Sequence, residues 1–317
     1  MSSTSTSRQP PSVVGRGATR WSGVVPVLAV GVLVSLLYLP LLHWLGSVTL
    51  HTGQLTNGAL LVFLALAICI RSAVTRLTLA PSISEWGVGM LAVAVFCLWL
   101  ASRLVVWALP LVLFSACLSF AGITTFLFGK AGTRHFLPAL GAFFVFGLLV
   151  GLVPKLDWPL RSIAAQSAGR LLTNLGLAVQ IAIVPGRPPE LALAVGKQVF
   201  VVATECNGFG LLTSALLVAT ILMFQYRLPW LDKLGLLALA IPMAIGCNFL
   251  RIVSICLVAP RTSLPYGLVH EVLGVLFYYL GLGLIWFVAN RYLVRPNAKL
   301  TPPPNPADGN RDKGVVR

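Results

Sequence analysis

Long apolar runs alternate along the chain with short polar or basic segments. A helix that crosses the hydrocarbon core of a bilayer needs about 20 predominantly apolar residues, and the runs approach or exceed that length. The pattern therefore predicts an all-α polytopic membrane protein with about eight transmembrane helices. These lie roughly at 24–45, 56–70, 86–101, 104–128, 135–153, 207–226, 234–259 and 267–290.

The stretch 154–205 does not follow this pattern. Its first part has apolar residues at helical spacing, and the polar residues on the opposite side are Gln166, Arg170 and Asn174. This spacing predicts an amphipathic helix lying on a membrane surface. Further on, Leu191–Val195 and Gln198–Ala203 flank Gly196-Lys197 and predict a β-hairpin. We expect the amphipathic helix and the hairpin to form a small segment at the outer membrane face.

Both ends of the chain are basic and rich in Ser, Thr or Pro, a composition typical of disorder. An even number of spans puts both ends on one side, and their Lys and Arg residues place that side in the cytoplasm. Five basic residues in 154–205 oppose this orientation, but segments of that length weigh less in the rule. The expected organisation is a disordered cytoplasmic tail (1–22), transmembrane helices 1–5 (23–153), the outer-face segment (154–205), helices 6–8 (206–294) and a disordered basic cytoplasmic tail (295–317).

Composition supports the membrane assignment. Of the 317 residues, 57% are hydrophobic and 10% are charged, and the mean hydropathy of +0.91 excludes an ordinary soluble domain. The net charge of +15 comes from residues scattered over tails and loops, not from one basic patch. We interpret these residues as topology signals and contacts with lipid headgroups, and we expect no nucleic-acid partner.

The six cysteines do not have the spacing of a metal site or a disulfide framework, so neither a metal nor another cofactor is expected. Five of them lie within apolar runs, where cysteine is usually a small packing residue. Cys206 is different, because its neighbours are Glu205 and Asn207 and a span begins directly after it. The N–H groups and the positive dipole end of a helix start favour a thiolate. Cys206 is therefore a candidate nucleophile.

Arg251 is the least ordinary residue of the predicted spans. An arginine at the centre of a span costs about 2.5–3.5 kcal/mol on insertion scales, so it rarely lies there without a partner or a function. The alternative is an arginine that snorkels towards the surface and is satisfied by its neighbours. Asn248 lies three residues earlier, on the same side of the helix. The predicted topology puts Arg251 in the outer half of its span, and the site must then be a recessed cavity.

His270 lies one turn inside the outer end of the last span, and so at the same end as Cys206. A single histidine near a helix start is commonly an interfacial polar residue. Here Glu271 offers a charge partner, and Gly274, one turn further on, leaves room for a close approach.

Together these residues resemble the exosortase/archaeosortase family of membrane transpeptidases. The resemblance depends on Cys206-Asn207-Gly208 at the start of one span, on Pro242 followed by Asn248-x-x-Arg251-Ile252 in the next, and on His270-x-x-x-Gly274 in the last. Its specific part covers about residues 154–290. Many members have Ser at the position of Asn207 and Ala at that of Glu205.

The resemblance implies a catalytic core over 206–294, with Cys206 as nucleophile, Arg251 as oxyanion stabiliser and His270 as general acid and base. It implies cleavage of C-terminal sorting signals through a thioester, which water or an unidentified acceptor nucleophile resolves. The implied substrates are secreted proteins that end in a short motif, a hydrophobic span and a basic cluster. The implied location is the cell (inner) membrane with the site facing outwards, in a setting of protein sorting and exopolysaccharide. The supporting residues are Glu205, Asn207, Gly208, Asn248, Glu271 and Gly274.

Two other classes of function remain open at this point. A transporter or channel would use Arg251 as an anion site in a polar cavity, but no inverted repeat is visible and the position of Cys206 stays unexplained. An assembly factor for envelope polysaccharide export has no positive signal in the sequence. Labelling of thiols separates these classes from an enzyme, which has one hyper-reactive cysteine accessible from outside.

Overall fold

The computed structural model describes residues 18–78, 82, 84–185, 190–196, 198–202, 207–226 and 228–294. These residues form eight α-helices and a three-stranded sheet. The helices are α1 (Ala18–Leu37), α2 (Leu39–Thr52), α3 (Thr56–Arg76), α4 (Glu85–Arg103), α5 (Ala108–Asn174), α6 (Phe209–Gln225), α7 (Trp230–Val258) and α8 (Tyr266–Val288). The strands are β1 (Val179–Val184), β2 (Glu190–Val195) and β3 (Gln198–Val202). Short helical turns follow α4, α7 and α8 at Val105–Trp107, Ala259–Arg261 and Ala289–Val294.

The prediction of a membrane protein built from apolar helices is confirmed, but the number of eight spans is not. In the described part of the chain, five helical segments are long and apolar enough to cross a membrane. The bent pair of α1 and α2 gives a sixth. The longest segment, Val105–Asn174, counts once although its backbone breaks inside it, and α6 has only 17 residues. The difference between six and eight spans is therefore due to these two elements.

The first predicted span, 24–45, is bent. The axes of its two parts, 25–37 and 39–52, differ by 49°. Pro40 stands at the start of α2, and proline lacks the N–H that would continue the helical hydrogen bonds. The side chain of Tyr38, at the break, is buried and shares hydrogen bonds with the hydroxyls of Ser115 and Ser119 on α5.

α5 joins the predicted spans 104–128 and 135–153 and the predicted amphipathic helix that follows them. Gly129 has a non-helical backbone (φ 67°) and divides α5 into two arms, of which the second runs continuously over 130–174. At 1.5 Å per residue that arm is about 67 Å long, whereas the hydrocarbon core is about 30 Å thick. The amphipathic part of 154–205 is thus the continuation of the fifth span and not a separate surface helix. Pro154 and Pro159 are accommodated on its exposed side.

The sheet has the order β1-β2-β3, with antiparallel pairing throughout. The predicted hairpin is confirmed as β2 and β3, which pair from Val195 and Gln198 onwards. The first strand was not predicted, because a short apolar run between two loops has no period that identifies it. Buried residues of the sheet and of the ends of α5 and α7 form one apolar cluster. Its members are Ala164, Ala165, Ala168 and Leu172 of α5, Leu191, Leu193 and Val195 of β2, Phe200 of β3, and Ile252, Val253, Ile255 and Cys256 of α7.

Basic residues mark the other end of the bundle. The ammonium of Lys130, at the start of the second arm of α5, lies 4.3 Å from the ring centre of Trp86. The ammonium of Lys233, at the start of α7, lies 5.2 Å from that of Phe224, near the end of α6. Because α5 and α7 each run from these lysines to the sheet, the basic loops and the sheet lie at opposite ends.

Candidate active site

Three helix ends meet beside the sheet. α6 begins there, the C-terminal part of α7 carries Asn248 and Arg251, and the first turns of α8 carry His270. Cys206 and Glu205 lie outside the described residues. Asn207, the next residue of the chain, is described and buried.

Arg251 and His270 are joined by a hydrogen bond between two helices. The distance from Arg251 Nη2 to His270 Nε2 is 3.1 Å. A guanidinium has only donors, so Nε2 of the histidine must accept and therefore carries no proton. In this arrangement the ring is neutral, but the lone pair of Nε2 is engaged by Arg251, so this nitrogen can take up a proton only when that hydrogen bond breaks.

Gly274 makes this contact possible. A Cβ atom at Gly274 would lie 3.1 Å from Nη2 and 3.2 Å from Cζ of Arg251. The guanidinium thus lies directly against the backbone of α8, one turn after His270. A Cβ atom at position 274 would force the guanidinium to move by a few tenths of an ångström.

Gly208 makes a second close approach, to Asn248. Its φ of 77° lies in the left-handed region, which glycine adopts without strain. A Cβ atom at Gly208 would lie 2.7 Å from Cγ and Nδ2 of Asn248, whose side chain is 4% exposed. The backbone that follows Cys206 is therefore packed on α7, one helical turn from Arg251.

A chain of hydrogen bonds connects the same backbone to α5. The backbone N–H of Phe209 donates to Oδ1 of Asn207 over 2.7 Å, and Nδ2 of Asn207 donates to Oδ1 of Asp157 over 2.6 Å. Oδ2 of Asp157 accepts from Nη2 of Arg161, one turn further along α5. Asn207 thus connects the start of α6 to an ion pair on α5.

Sequence reasoning missed Asp157 and Arg161. Arg161 is only 3% exposed, and among the described residues Asp157 is its one ion-pair partner. The available signal was an acidic and a basic residue at (i, i+4) in a chain that has only eight acidic residues. The sequence alone gives no indication that the pair faces Asn207.

The environment of His270 includes aromatic residues that the sequence did not single out. The ring of Tyr266, one turn earlier on α8, has its centre 5.9 Å from that of His270. The ring of Phe200 on β3 lies 5.9 Å from that of Tyr266 on its other side. A row of rings therefore connects β3 to the histidine.

Glu271 does not belong to this cluster. Its side chain is exposed, and within the described part of the chain it makes no ion pair with His270. Adjacent residues of a helix point in different directions, which explains why proximity in sequence does not become contact here.

The described groups suit acyl transfer. They offer a guanidinium that can stabilise developing negative charge and a neutral imidazole that can move a proton. Among the residues that the structure describes, no group of three His, Cys, Asp or Glu side chains is placed to hold a metal ion.

Gly208→Ala should lower stability and slow alkylation of the Cys206 thiol. A left-handed backbone costs a residue with a Cβ about 1–2 kcal/mol, and here the Cβ would also collide with Asn248. The measurements are thermal unfolding in detergent and mass spectrometry of the peptide that contains Cys206. Gly267→Ala is the matched control, because a Cβ there meets nothing within 4 Å. Equal behaviour of the two variants would contradict the packing described for Gly208.

Asp157→Asn should destabilise the protein by about 3 kcal/mol, because it leaves the buried Arg161 cation without its ion-pair partner. Adding Arg161→Met should recover much of this loss, since the unpaired charge is then removed as well. Thermal unfolding of the single and double variants measures the coupling. Lys155→Gln, at an exposed position on the same helix, serves as the control. Strictly additive effects would mean that the pair is not coupled.

Comparison with known proteins identifies the family of the chain. A family model described as "Transmembrane exosortase (Exosortase_EpsH)" matches residues 44–287, which is more than half of the chain. The matched range contains Asp157, Asn207 and Gly208 as well as Arg251 and His270. No curated protein and no solved structure matches the chain. The chain belongs to the transmembrane exosortase family.

Proposed function

We propose that this protein is a membrane-embedded cysteine transpeptidase that cleaves C-terminal sorting signals of secreted proteins, with Cys206 as its nucleophile. The observation that carries the proposal is the hydrogen bond between Arg251 and His270. It lies one helical turn from the place where Asn248 contacts Gly208, two residues after the cysteine. Membership of the exosortase family supports a transpeptidase role in general.

The proposed reaction has two halves. In the first, the sulfur of Cys206 attacks the carbonyl carbon of the scissile peptide, its proton passes to His270, and Arg251 stabilises the oxyanion. Collapse of this intermediate breaks the C–N bond, and the leaving amine takes the proton from His270. In the second half, an acceptor nucleophile or water attacks the carbonyl carbon of the thioester and gives its proton to His270. The C–S bond then breaks, and the leaving sulfur takes that proton from His270, which regenerates the thiol of Cys206.

We infer that the chain crosses the membrane eight times. In this topology the bent pair α1–α2 crosses once, the two arms of α5 cross separately, and α6 crosses although it has only 17 residues. The basic end that carries Lys130 and Lys233 then lies in the cytoplasm, together with both tails. The end with the sheet, Arg251 and His270 faces the outside of the cell membrane.

The proposed substrates are presented by the membrane itself. A secreted protein that ends in a motif, a hydrophobic span and a basic cluster is held with its motif just outside the bilayer. The basic cluster keeps this orientation, and the span restricts the search for the site to two dimensions. Presentation of the motif just outside the bilayer suits an active site at one end of a helix bundle.

A reporter that carries such a tail tests the function. It should be shortened at its C-terminus in cells with the wild-type protein and remain full-length in cells with Cys206→Ala. Immunoblotting and mass spectrometry of the new C-terminus measure the cleavage. Unchanged cleavage by Cys206→Ala would refute the proposal.

Two further reporters serve as controls for membrane presentation. Replacing the basic cluster of the tail by neutral residues should impair cleavage although the motif is intact, and removing the hydrophobic span should abolish it. Equal cleavage of the reporter without a span would show that the membrane does not select the substrate.

Arg251→Lys should lower the cleavage rate by about 10²–10³, nearly as much as Arg251→Ala. A lysine has no planar guanidinium to lie against Gly274 while it donates to His270, and an oxyanion donor is worth about this factor. The measurement is the rate of reporter cleavage at equal protein levels. Arg261→Lys, an exposed arginine at the same end of the bundle, should behave as wild type. Near-normal cleavage by Arg251→Lys would show that only the charge matters.

A further inference from the structure

β3 is an outer strand of the sheet, and within the described residues one of its edges has no neighbouring strand, which we call the free edge. Val195 and Gln198 form the pair next to the turn, and the backbone groups of successive residues in a strand alternate between its two sides. Gln198, Phe200 and Val202 therefore bond to β2. Val199 and Val201 direct their N–H and C=O groups away from β2, towards the free edge.

Nothing in the described part of the chain pairs with that edge. β3 is bonded to β2 alone, and the backbone hydrogen bonds outside regular elements do not involve Val199 or Val201. The side chains of these two valines are 66% and 39% exposed. A free edge of this kind is a template for another extended chain.

A small apolar groove lies between the sheet and the helices α7 and α8. Its volume is about 20 Å³, and it is lined by Leu193, Phe200, Val201, Ile252, Ile255, Cys256 and Tyr266. The lining contains no charged side chain. The groove therefore suits a small apolar group.

The groove and the strand both lead to the candidate active site. Tyr266, which lines the groove, has its ring 5.9 Å from that of His270, and Ile252 directly follows Arg251 in the chain. Four residues separate Val202 from Asn207, so the chain can extend no more than about 18 Å between them. A peptide bound along β3 would thus lie near the groups that act on it.

We propose that an extended segment of the substrate pairs with the free edge of β3 as a fourth strand and places one small apolar side chain in the groove opposite Phe200. This inference depends on the proposed function, because it names how that substrate binds. Residues that face each other across two strands put their side chains on the same face of the sheet. The substrate residue opposite Phe200 therefore points into the groove, and its two neighbours in the chain point away.

The proposed reaction requires an extended peptide near the active site, and such a peptide is the occupant of the free edge that we propose. A scissile peptide has to be extended to present its carbonyl to a nucleophile, and strand pairing fixes an extended backbone without depending on the side chains. Backbone hydrogen bonds then supply the affinity, and the groove supplies the selectivity.

Val201→Pro tests the pairing. Proline removes the N–H that points to the free edge, and it leaves intact the bonds from neighbouring residues to β2. With detergent-solubilised full-length protein and a synthetic peptide of the reporter's tail, KM should rise about tenfold, the factor expected for one lost hydrogen bond. The alkylation rate of Cys206 should stay at the wild-type value, because the catalytic groups are not changed.

Ile183→Pro is the matched control. Ala178 accepts from the N–H of Gly196, so by alternation Ile183 faces the free edge of β1, the other outer strand. Its side chain is 63% exposed, and its proline variant should keep the wild-type KM. Equal KM values for the Val201 and Ile183 variants would overturn the proposal. If Val201→Pro does not fold, Val199→Pro makes the same test one step along the edge.

A size series in the substrate tests the groove. At one motif position only, replacement of a small apolar residue by Trp should raise KM tenfold or more in the wild-type protein. Ile255→Ala should reduce that penalty at the same position, since it widens the groove. A penalty that is spread over all positions, or that Ile255→Ala does not change, would overturn the groove assignment. Cleavage that persists in Cys206→Ala would instead refute the proposed function, so the two failures are distinguishable.

Discussion

A guanidinium within an apolar helix bundle is the constraint on which the rest of this site depends. Arg251 needs hydrogen-bond acceptors and space in these apolar surroundings. His270 on α8 supplies an acceptor, and Gly274 supplies the space, because the arginine lies where a side chain at 274 would be. The packing of α7 against α8 is therefore fixed by a polar contact as much as by apolar burial.

The same end of the bundle contains another arginine, which is buried and has a different partner. Arg161 is paired with Asp157 on its own helix, and the carboxylate then reaches α6 through Asn207. This requires α5 to extend well beyond the thickness of the hydrocarbon core, which its second arm does. The backbone at the start of α6 is consequently held from two sides, by α5 through Asn207 and by α7 through Asn248.

The hydrophobic pattern predicted the apolar helices because a helix that is buried in lipid or in the core needs a long run of apolar residues, which is visible in the sequence itself. The hairpin was predicted for a similarly local reason, since Gly196 stands between two short apolar runs. The continuity of α5 past Pro154, the strand β1 and the ion pair of Asp157 were not predicted. The strand β1 and the contact of the Asp157–Arg161 pair with Asn207 depend on pairing between separate segments, which no local pattern contains. The importance of Arg251 was inferred from energetic cost, but its contact with His270 depends on how two helices pack.

The contacts of Arg251 also bear on the choice between acyl transfer and anion transport. A transport site has to release its anion, so its cation must be accessible from a polar pathway and must not be committed to fixed protein contacts. Here the guanidinium is hydrogen-bonded to a neutral imidazole and lies flat against a helix backbone. A guanidinium held in one place suits the stabilisation of charge that develops at one point, because its donors are oriented before the reaction. The left-handed Gly208 and the bonds of Asn207 constrain the neighbouring backbone in the same way, which an anion pathway would not require.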